Sequence, residues 1–228
     1  MSYTKITFRE DLLHPVNAIQ KETINKNDFT PILEHLNVMI DIKDNMGKND
    51  SEIGVLWNEV VFDLLASIHS ASSGFYRSAI VTLRSILEIG VSSFFYYDHK
   101  IEFLIFQNTN AKADKYVSTL INNYDFFKTK YIKCFYDDID KVEKSTDSVS
   151  SFLTKKYGEL SDVVHGRYNS LIKINDLNIK YSQIEFKRYE SLLLSTLSIL
   201  AVLYVLRFAD FSNTGIIRLA NICGVVNL

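Results

Sequence analysis

The sequence predicts an all-α protein, a helical bundle, and two observations support this fold class. Only eight glycines and two prolines interrupt the 228 residues, which favours long helices over a sheet of many strands. Apolar side chains also recur at three- and four-residue steps, a spacing that places them on one face of a helix. With 47% hydrophobic residues, the chain can build a continuous core around such faces.

The stretch from Gly74 to His99 carries the clearest helical pattern. Arg77, Arg84 and Glu88 fall together on one flank of its apolar face, because steps of seven and four residues return to nearly the same angle. A second stripe of three serines is spaced by seven residues, and we expect it to be exposed because serine is mostly a surface residue. The alternative is that these small side chains let another helix, from this chain or a partner, approach closely. The stripe consists of Ser78, Ser85 and Ser92.

The segments on either side complete the predicted bundle. A helix is expected from Ser51 to Ile68, ended by the turn residues 70–74 and paired with the central helix as an antiparallel hairpin. Helical spacing returns at residues 112–135, from Phe152 to His165 with Gly166 as its C-terminal cap, and again from Glu185. Between the last two helices, alternating apolar residues predict one short β-hairpin insertion near residues 171–182.

The division into domains follows the change in composition near residue 50. Residues 1–50 contain both prolines and are predicted to form an N-terminal arm with short helices. Residues 51–228 contain no low-complexity linker and are predicted to form a single helical domain. The apolar run from Leu192 to Leu206 is shorter than the roughly 20 residues of a membrane span and ends at Arg207, so we expect no membrane span.

Composition limits the classes of function and the compartment. The formal net charge of −2 gives no basic field, so any contact with nucleic acid must be local. Cys134 and Cys223 lack the spacing of a metal or redox motif, which is typical of a reducing compartment, and the N-terminus has no apolar signal segment. We therefore expect a cytoplasmic protein. The spacing of the histidines predicts no metal site, and no motif predicts a cofactor.

The residue with the most chemical interest is His165, at the end of its predicted helix and one turn beyond Ser161. If this helix and the central helix pack through their apolar faces, Arg84, Glu88, Ser161 and His165 meet at the edge of the core. Such an arginine can stabilise a phosphorane while the histidine moves a proton, so phosphodiester cleavage needs no metal. The helix C-terminus is expected to favour the imidazolium form. The alternative is structural: Glu88 pairs with Arg84 as neighbours on one helix, and His165 closes its own helix.

Two segments, GFYRSAIVTLRSILE and YGELSDVVHG, resemble a group of bacterial all-helical proteins related to the HEPN superfamily. The resemblance covers about residues 55–210 and implies a helical bundle, often dimeric, of the kind found in anti-phage and toxin–antitoxin systems. Many members are metal-independent ribonucleases with an arginine and a histidine on one helix, separated by four to six intervening residues. Only His165 matches that motif, because Gly158, Glu159 and Leu160 stand where the arginine is expected. Arg84 would have to replace it from another helix.

These observations lead to two hypotheses. The first is a HEPN-like protein of bacterial anti-phage defence or toxin–antitoxin type that acts as a metal-independent ribonuclease on RNA. Its catalytic residues would be Arg84, Glu88 and His165, with Glu88 orienting the arginine. The second is a non-catalytic interaction module whose apolar C-terminal helices oligomerise or bind a partner effector. Either hypothesis expects a homodimer or a partner protein of a defence system. The predicted substrate-binding residues of the first are Arg77, Ser161 and Arg167.

Overall fold

A computed structural model describes residues 4–109, 117–136, 148–166 and 179–228 of the chain. Nearly all of these residues lie in helices, and they contain no β-strand, so the predicted all-α class is confirmed. A π-helical turn (Arg9–Leu13) and a 3₁₀ turn (Asp125–Phe127) interrupt the α-helical series. The α-helices are α1 (Lys5–Phe8), α2 (His14–Lys26), α3 (Thr30–Asn49), α4 (Ser51–Ser72), α5 (Tyr76–Asp98), α6 (Lys100–Thr109), α7 (Val117–Asn123), α8 (Thr129–Phe135), α9 (Ser148–Val164), α10 (Gln183–Phe208) and α11 (Thr214–Asn221).

Helices α4 and α5 form the hairpin at the centre of the bundle. Asp50 caps α4, because its Oδ1 accepts hydrogen bonds from the backbone N–H groups of Glu52 and Ile53 at 3.0 and 3.1 Å. The helix ends at Ser72, within the predicted turn residues. Gly74 then takes a φ of +86°, a left-handed conformation that favours glycine and reverses the chain into α5.

The core is built where α3 and α10 pack against this hairpin. Two glycines allow close approach of helix backbones or side chains. A Cβ atom added to Gly54 of α4 would lie only 2.8 Å from the Cα atom of Gly47 in α3. A Cβ atom on Gly90 of α5 would lie 2.7 Å from Cδ2 of Leu200 in α10. Both contacts are far closer than packed carbon atoms tolerate, so glycine at each position sets the distance between the helices.

Helix α3 belongs to the same core, although it lies in the segment predicted as an N-terminal arm. Its buried side chains recur at three- and four-residue steps and join the cluster formed by the later helices. The predicted boundary at residue 50 therefore falls between two helices that pack against each other. The fully buried apolar residues of α3 are Ile32, Met39, Ile42 and Met46.

The segment predicted as one helix over residues 112–135 is divided in its described part. Tyr124 and Lys128 both have extended backbone conformations, on either side of the 3₁₀ turn that separates α7 from α8. This break turns Phe126 and Phe127 inward, where both side chains are buried. A continuous helix would direct these two consecutive rings about 100° apart. The break allows both rings to be buried, and this burial stabilises the broken helix more than continued helical hydrogen bonding would.

Two further sequence expectations have different outcomes. The predicted β-hairpin falls mainly on residues 171–178, outside the described part of the chain, and residues 179–182 have no regular secondary structure. The serine stripe of α5 is not uniformly exposed: Ser78 is exposed and Ser85 is half-buried, but Ser92 is buried. The expectation of three exposed serines is therefore wrong for Ser92, because other helices cover the C-terminal half of α5.

Helix α10 is the apolar helix that raised the question of a membrane span. Within the described residues, α5 and α10 are each long and apolar enough to cross a membrane by length and composition. However, 56% of the most apolar window of α5 and 67% of that of α10 are buried inside the bundle. Core helices of soluble proteins have the same character, so the absence of a membrane span stays a prediction.

Candidate functional site

The candidate site lies where the C-terminal half of α9 packs beside the middle of α5. Leu83 and Leu87 of α5 and Leu160 of α9 are fully buried in the shared core. This packing brings the flank of α5 that carries arginine next to the flank of α9 that carries His165. Gly166 follows with a φ of +60° and ends the helix, as its sequence position predicts.

Arg84 is the centre of the site and contacts three other side chains. Its Nε donates a hydrogen bond to Glu88 Oε1 at 2.9 Å, and its Nη2 donates to the Tyr157 hydroxyl at 2.9 Å. Its Nη1 lies 3.3 Å from His165 Nε2. We call these four residues the Arg84 cluster. The structure therefore brings together the three residues that the sequence nominates as catalytic.

The guanidinium of Arg84 is a fixed positive charge. Only 14% of the Arg84 side chain and 14% of the Glu88 side chain are exposed. Burial acts to lower the pKa of Arg84, but the negative charge of Glu88 and the hydrogen bond to Tyr157 outweigh burial, and the pKa is raised. The arginine is consequently charged at any pH at which the protein is folded, and it is held in one place.

His165 is the exposed member of the Arg84 cluster. Its backbone N–H donates to the Ser161 carbonyl oxygen at 2.9 Å, which continues the hydrogen bonding of α9 to the edge of the site. Guanidinium nitrogens only donate, so at this contact Nε2 accepts and the ring proton of the neutral imidazole lies on Nδ1. Nε2 is thus the ring atom that can act as a base.

Arg77 lies two turns before Arg84 on the same flank of α5. Its Nη2 is 3.4 Å from the carbonyl oxygen of Val163, in the last turn of α9. That carbonyl is one of those left without a partner at a helix end, so Arg77 helps to close the helix. The side chain is also exposed. Two arginines therefore reach the end of α9 that carries His165.

The other two predicted substrate-binding residues have different outcomes. The hydroxyl oxygen of Ser161 is buried and, among the described residues, has no hydrogen-bond partner. A substrate arriving from solvent cannot reach that oxygen, so this structure does not support the prediction for Ser161. Arg167 lies outside the described residues.

Tyr157 is the member of the Arg84 cluster that sequence reasoning missed. Its spacing with Leu153 and Leu160 assigns it to the apolar face of α9, and its ring is indeed half-buried. Yet its hydroxyl accepts from Arg84, and the guanidinium carbon lies 5.0 Å from the ring centroid. Tyr157, Ser161 and His165 lie at successive four-residue steps, and this spacing was the available signal that tyrosine and histidine share a flank.

Two further features concern metal binding and a surface groove. Among the described residues, no group of three or more His, Cys, Asp or Glu side chains is arranged to hold a metal ion. A shallow groove of about 360 Å³ lies between α9 and α10. Glu159 lies on the side of α9 away from Tyr157. Asp162, however, lies one turn before His165, so the groove borders the Arg84 cluster. The groove is lined by Glu159, Asp162, Arg188, Ser191 and Leu192.

Comparison with protein-family models, with curated proteins and with solved structures finds no match to this chain in any of the three. The HEPN-like relationship therefore rests on the two sequence segments and remains a hypothesis. The chemistry of the Arg84 cluster does not depend on it. A fixed guanidinium in contact with an exposed imidazole combines a stabiliser of negative charge with a group that can move a proton.

Proposed function

We propose that this chain is a HEPN-like protein of bacterial anti-phage defence or toxin–antitoxin type that cleaves RNA without a metal ion at the Arg84 cluster. The observation that carries the proposal is the 3.3 Å contact between Arg84 Nη1 and His165 Nε2. Arg84 is anchored while His165 is exposed. Substrate can therefore reach the base from solvent and find the positive charge already oriented.

The proposed reaction is transesterification at an RNA phosphodiester. His165 Nε2 takes the proton of a ribose 2′-hydroxyl, and the resulting 2′-oxygen bonds to the adjacent phosphorus as the bond to the 5′-oxygen breaks. The imidazolium then returns the proton to the leaving 5′-oxygen. The products are a 2′,3′-cyclic phosphate and a 5′-hydroxyl.

Arg84 supplies the electrostatic part of this reaction. A phosphate oxygen would take the place of His165 at Nη1, while Nε and Nη2 keep their bonds to Glu88 and Tyr157. The guanidinium then faces the negative charge that develops on phosphorus without having to reorganise. Arg77, which is exposed at the same end of α9, is placed to contact a neighbouring phosphate.

The test is cleavage of end-labelled single-stranded RNA by the purified protein in the presence of a chelator. We expect cleavage by the wild-type chain, none when the 2′-hydroxyls are replaced by hydrogen, and a rate lower by about 100-fold or more in His165→Ala. His69→Ala is the matched control, because His69 is an exposed histidine on α4, and we expect it to cleave normally.

Two results would count against the proposal. Cleavage that persists unchanged in His165→Ala would assign the activity to another residue or to a contaminant. Cleavage that stops in the chelator but resumes with added magnesium would replace the metal-free mechanism. The cytoplasmic location and the homodimer or defence-system partner are part of the same proposal and need separate measurements.

The second candidate is the non-catalytic interaction module, and its surface differs from the one that the sequence suggests. Most apolar side chains of α10 are buried inside the bundle, so few of them are free to bind a partner, although Ile184 at its start is 80% exposed. Exposed apolar side chains lie instead on α4 and α6, and such patches are typical of protein contacts. Sedimentation at increasing concentration tests this candidate, and a monomer that recovers no partner would contradict it. The exposed residues are Val55, Phe62, Leu65, Ile101, Leu104 and Ile105.

A further inference from the structure

We propose that Tyr157 is a positioning residue that, together with Glu88, orients Arg84 so that the arginine selects one tautomer of His165. The catalytic consequence rests on the proposed function, but the tautomer itself does not. The inference is independent of the family resemblance, which assigns no role to this tyrosine.

The first step concerns the two anchors of the guanidinium. Glu88 lies on α5 with Arg84 and holds Nε, whereas Tyr157 lies on α9 and holds Nη2. A planar group that is bound at two of its three nitrogens cannot turn about its own stem. The third nitrogen, Nη1, is then directed at one point, and His165 Nε2 occupies that point at 3.3 Å.

The second step concerns the imidazole. Because an arginine cannot accept a hydrogen bond, the contact exists only when Nε2 carries a lone pair, so the proton of neutral His165 lies on Nδ1. If the Tyr157 hydroxyl is removed, the guanidinium keeps only the Glu88 anchor and can turn away. The exposed imidazole is then free to take either tautomer.

The third step is the effect on the reaction. In the free protein the contact with Arg84 keeps the lone pair on Nε2, and that lone pair becomes the base once a phosphate oxygen has replaced His165 at Nη1. A ring with its proton on Nε2 cannot take the 2′-hydroxyl proton through that atom. Tyr157 contacts Arg84 rather than the substrate in this arrangement. Its loss should therefore lower kcat and leave KM nearly unchanged, which is the behaviour of a residue that acts through another.

The experiment is ¹⁵N NMR of the histidine ring nitrogens in the full chain, with His165 assigned by comparison with His165→Ala. We expect the wild-type ring to carry its proton on Nδ1 and the ring of Tyr157→Phe to show a mixture of tautomers. Tyr136→Phe is the matched control, because it also removes a tyrosine hydrogen bond, here to the Leu206 carbonyl oxygen at 2.6 Å. We expect no change in the His165 signals of that control. In parallel, kcat of Tyr157→Phe should fall about tenfold.

Each outcome separates this inference from the proposed function. Suppose that the wild-type protein cuts no RNA but Tyr157→Phe still shifts the His165 tautomer. That result supports the positioning role and contradicts the ribonuclease proposal. RNA cleavage with the same kcat and the same His165 signals in Tyr157→Phe overturns the positioning role and leaves the ribonuclease intact. Glu88→Gln provides a second variant if Tyr157→Phe is poorly folded, and an unchanged tautomer there also overturns the proposal.

Discussion

Two clusters at α5 combine an arginine, a carboxylate, a tyrosine and a histidine, but only the first brings its histidine into contact with its arginine. The first is the Arg84 cluster. The second, which we call the Asp98 cluster, consists of Asp98, His99, Tyr124 and Arg207 and joins the end of α5 to the end of α10. The same residue types therefore occur twice, about 14 residues or roughly 21 Å apart along one helix.

In the Asp98 cluster the carboxylate is the central group. Asp98 accepts from both Arg207 and the Tyr124 hydroxyl, and the arginine also lies over the ring of Tyr97, 4.9 Å from its centroid. Burial and the hydrogen bond to the Asp98 carboxylate raise the pKa of Tyr124. His99 stacks on Phe95 at 4.1 Å.

The difference lies in what the histidine contacts. His99 uses its Nδ1 on the Phe95 carbonyl oxygen at 2.9 Å and its ring face on Phe95, and no arginine contact is present for it among the described residues. His165 contacts the arginine directly and is exposed. The two clusters therefore differ in the direct contact between arginine and histidine and in the exposure of that histidine. The proposed site rests on these two features.

The largest expected effect is on RNA cleavage, and it differs between Arg84 and Arg207. Arg84→Ala should lower RNA cleavage by about 100- to 1,000-fold, because it removes the group that meets the developing charge on phosphorus. Arg207→Ala should leave the cleavage rate within a few-fold of wild type. Initial rates on the same RNA, with folding checked by circular dichroism, provide the measurement. Equal losses in the two variants would mean that the Arg84 cluster and the Asp98 cluster do not differ in the way proposed.

The next effect concerns stability at the Asp98 cluster. Arg207→Ala leaves Asp98, whose side chain is only 24% exposed, without its cationic partner. We expect the free energy of unfolding to fall by about 1.5–3 kcal/mol, the range for hydrogen bonds to charged groups. Urea unfolding followed by circular dichroism measures this change. A stability equal to that of wild type would show that the Asp98 cluster does not hold α5 to α10.

The third prediction concerns Gly90, where α5 crosses α10 between the two clusters. Its substitution should lower the free energy of unfolding by as much as Arg207→Ala or by less. Gly90→Ala introduces a Cβ atom 2.7 Å from Leu200 Cδ2, so the leucine must leave its place in a closely packed core. We expect a loss of about 1–3 kcal/mol in the free energy of unfolding. If both clusters depend on this crossing, the variant should also weaken RNA cleavage. Unchanged stability would mean that Leu200 moves aside without cost.

The smallest expected effect is a gain in stability next to the Arg84 cluster. Gly158 lies inside α9 beside Tyr157, and an added Cβ atom would meet nothing within 4 Å. Gly158→Ala should therefore raise the free energy of unfolding by about 0.5–1 kcal/mol, because alanine restricts the unfolded chain and favours the helix. Thermal unfolding against wild type provides the measurement. A loss of stability would indicate that this face of α9 is covered by another part of the protein.

Much of the fold could be predicted because it depends on local patterns. The start of α4 beside Asp50, the glycine turn at Gly74 and the end of α9 at Gly166 follow from capping residues and conformational preferences that act within a few residues. The break between α7 and α8 could not be predicted in this way. It depends on where Phe126 and Phe127 find space in the core, and that space is made by other helices.

The candidate site was predictable only in part, for the same reason. Periodicity places Arg84 and Glu88 on one flank, and it places His165 near the edge of the apolar face of another helix. It cannot give the rotation of one helix against the other. That rotation decides that the Ser161 hydroxyl is buried, that Arg77 reaches a backbone carbonyl, and that the Tyr157 hydroxyl meets the guanidinium.

The sequence by itself determined the helical class, the central hairpin and the residues able to do chemistry, because apolar spacing and capping are properties of neighbouring residues. Only the tertiary structure decided which of those residues meet. Helices α5 and α9 are separated by about fifty residues of chain, and their contact is fixed by the shared core. That contact turns Arg84 from one half of a helix ion pair into the partner of an exposed histidine.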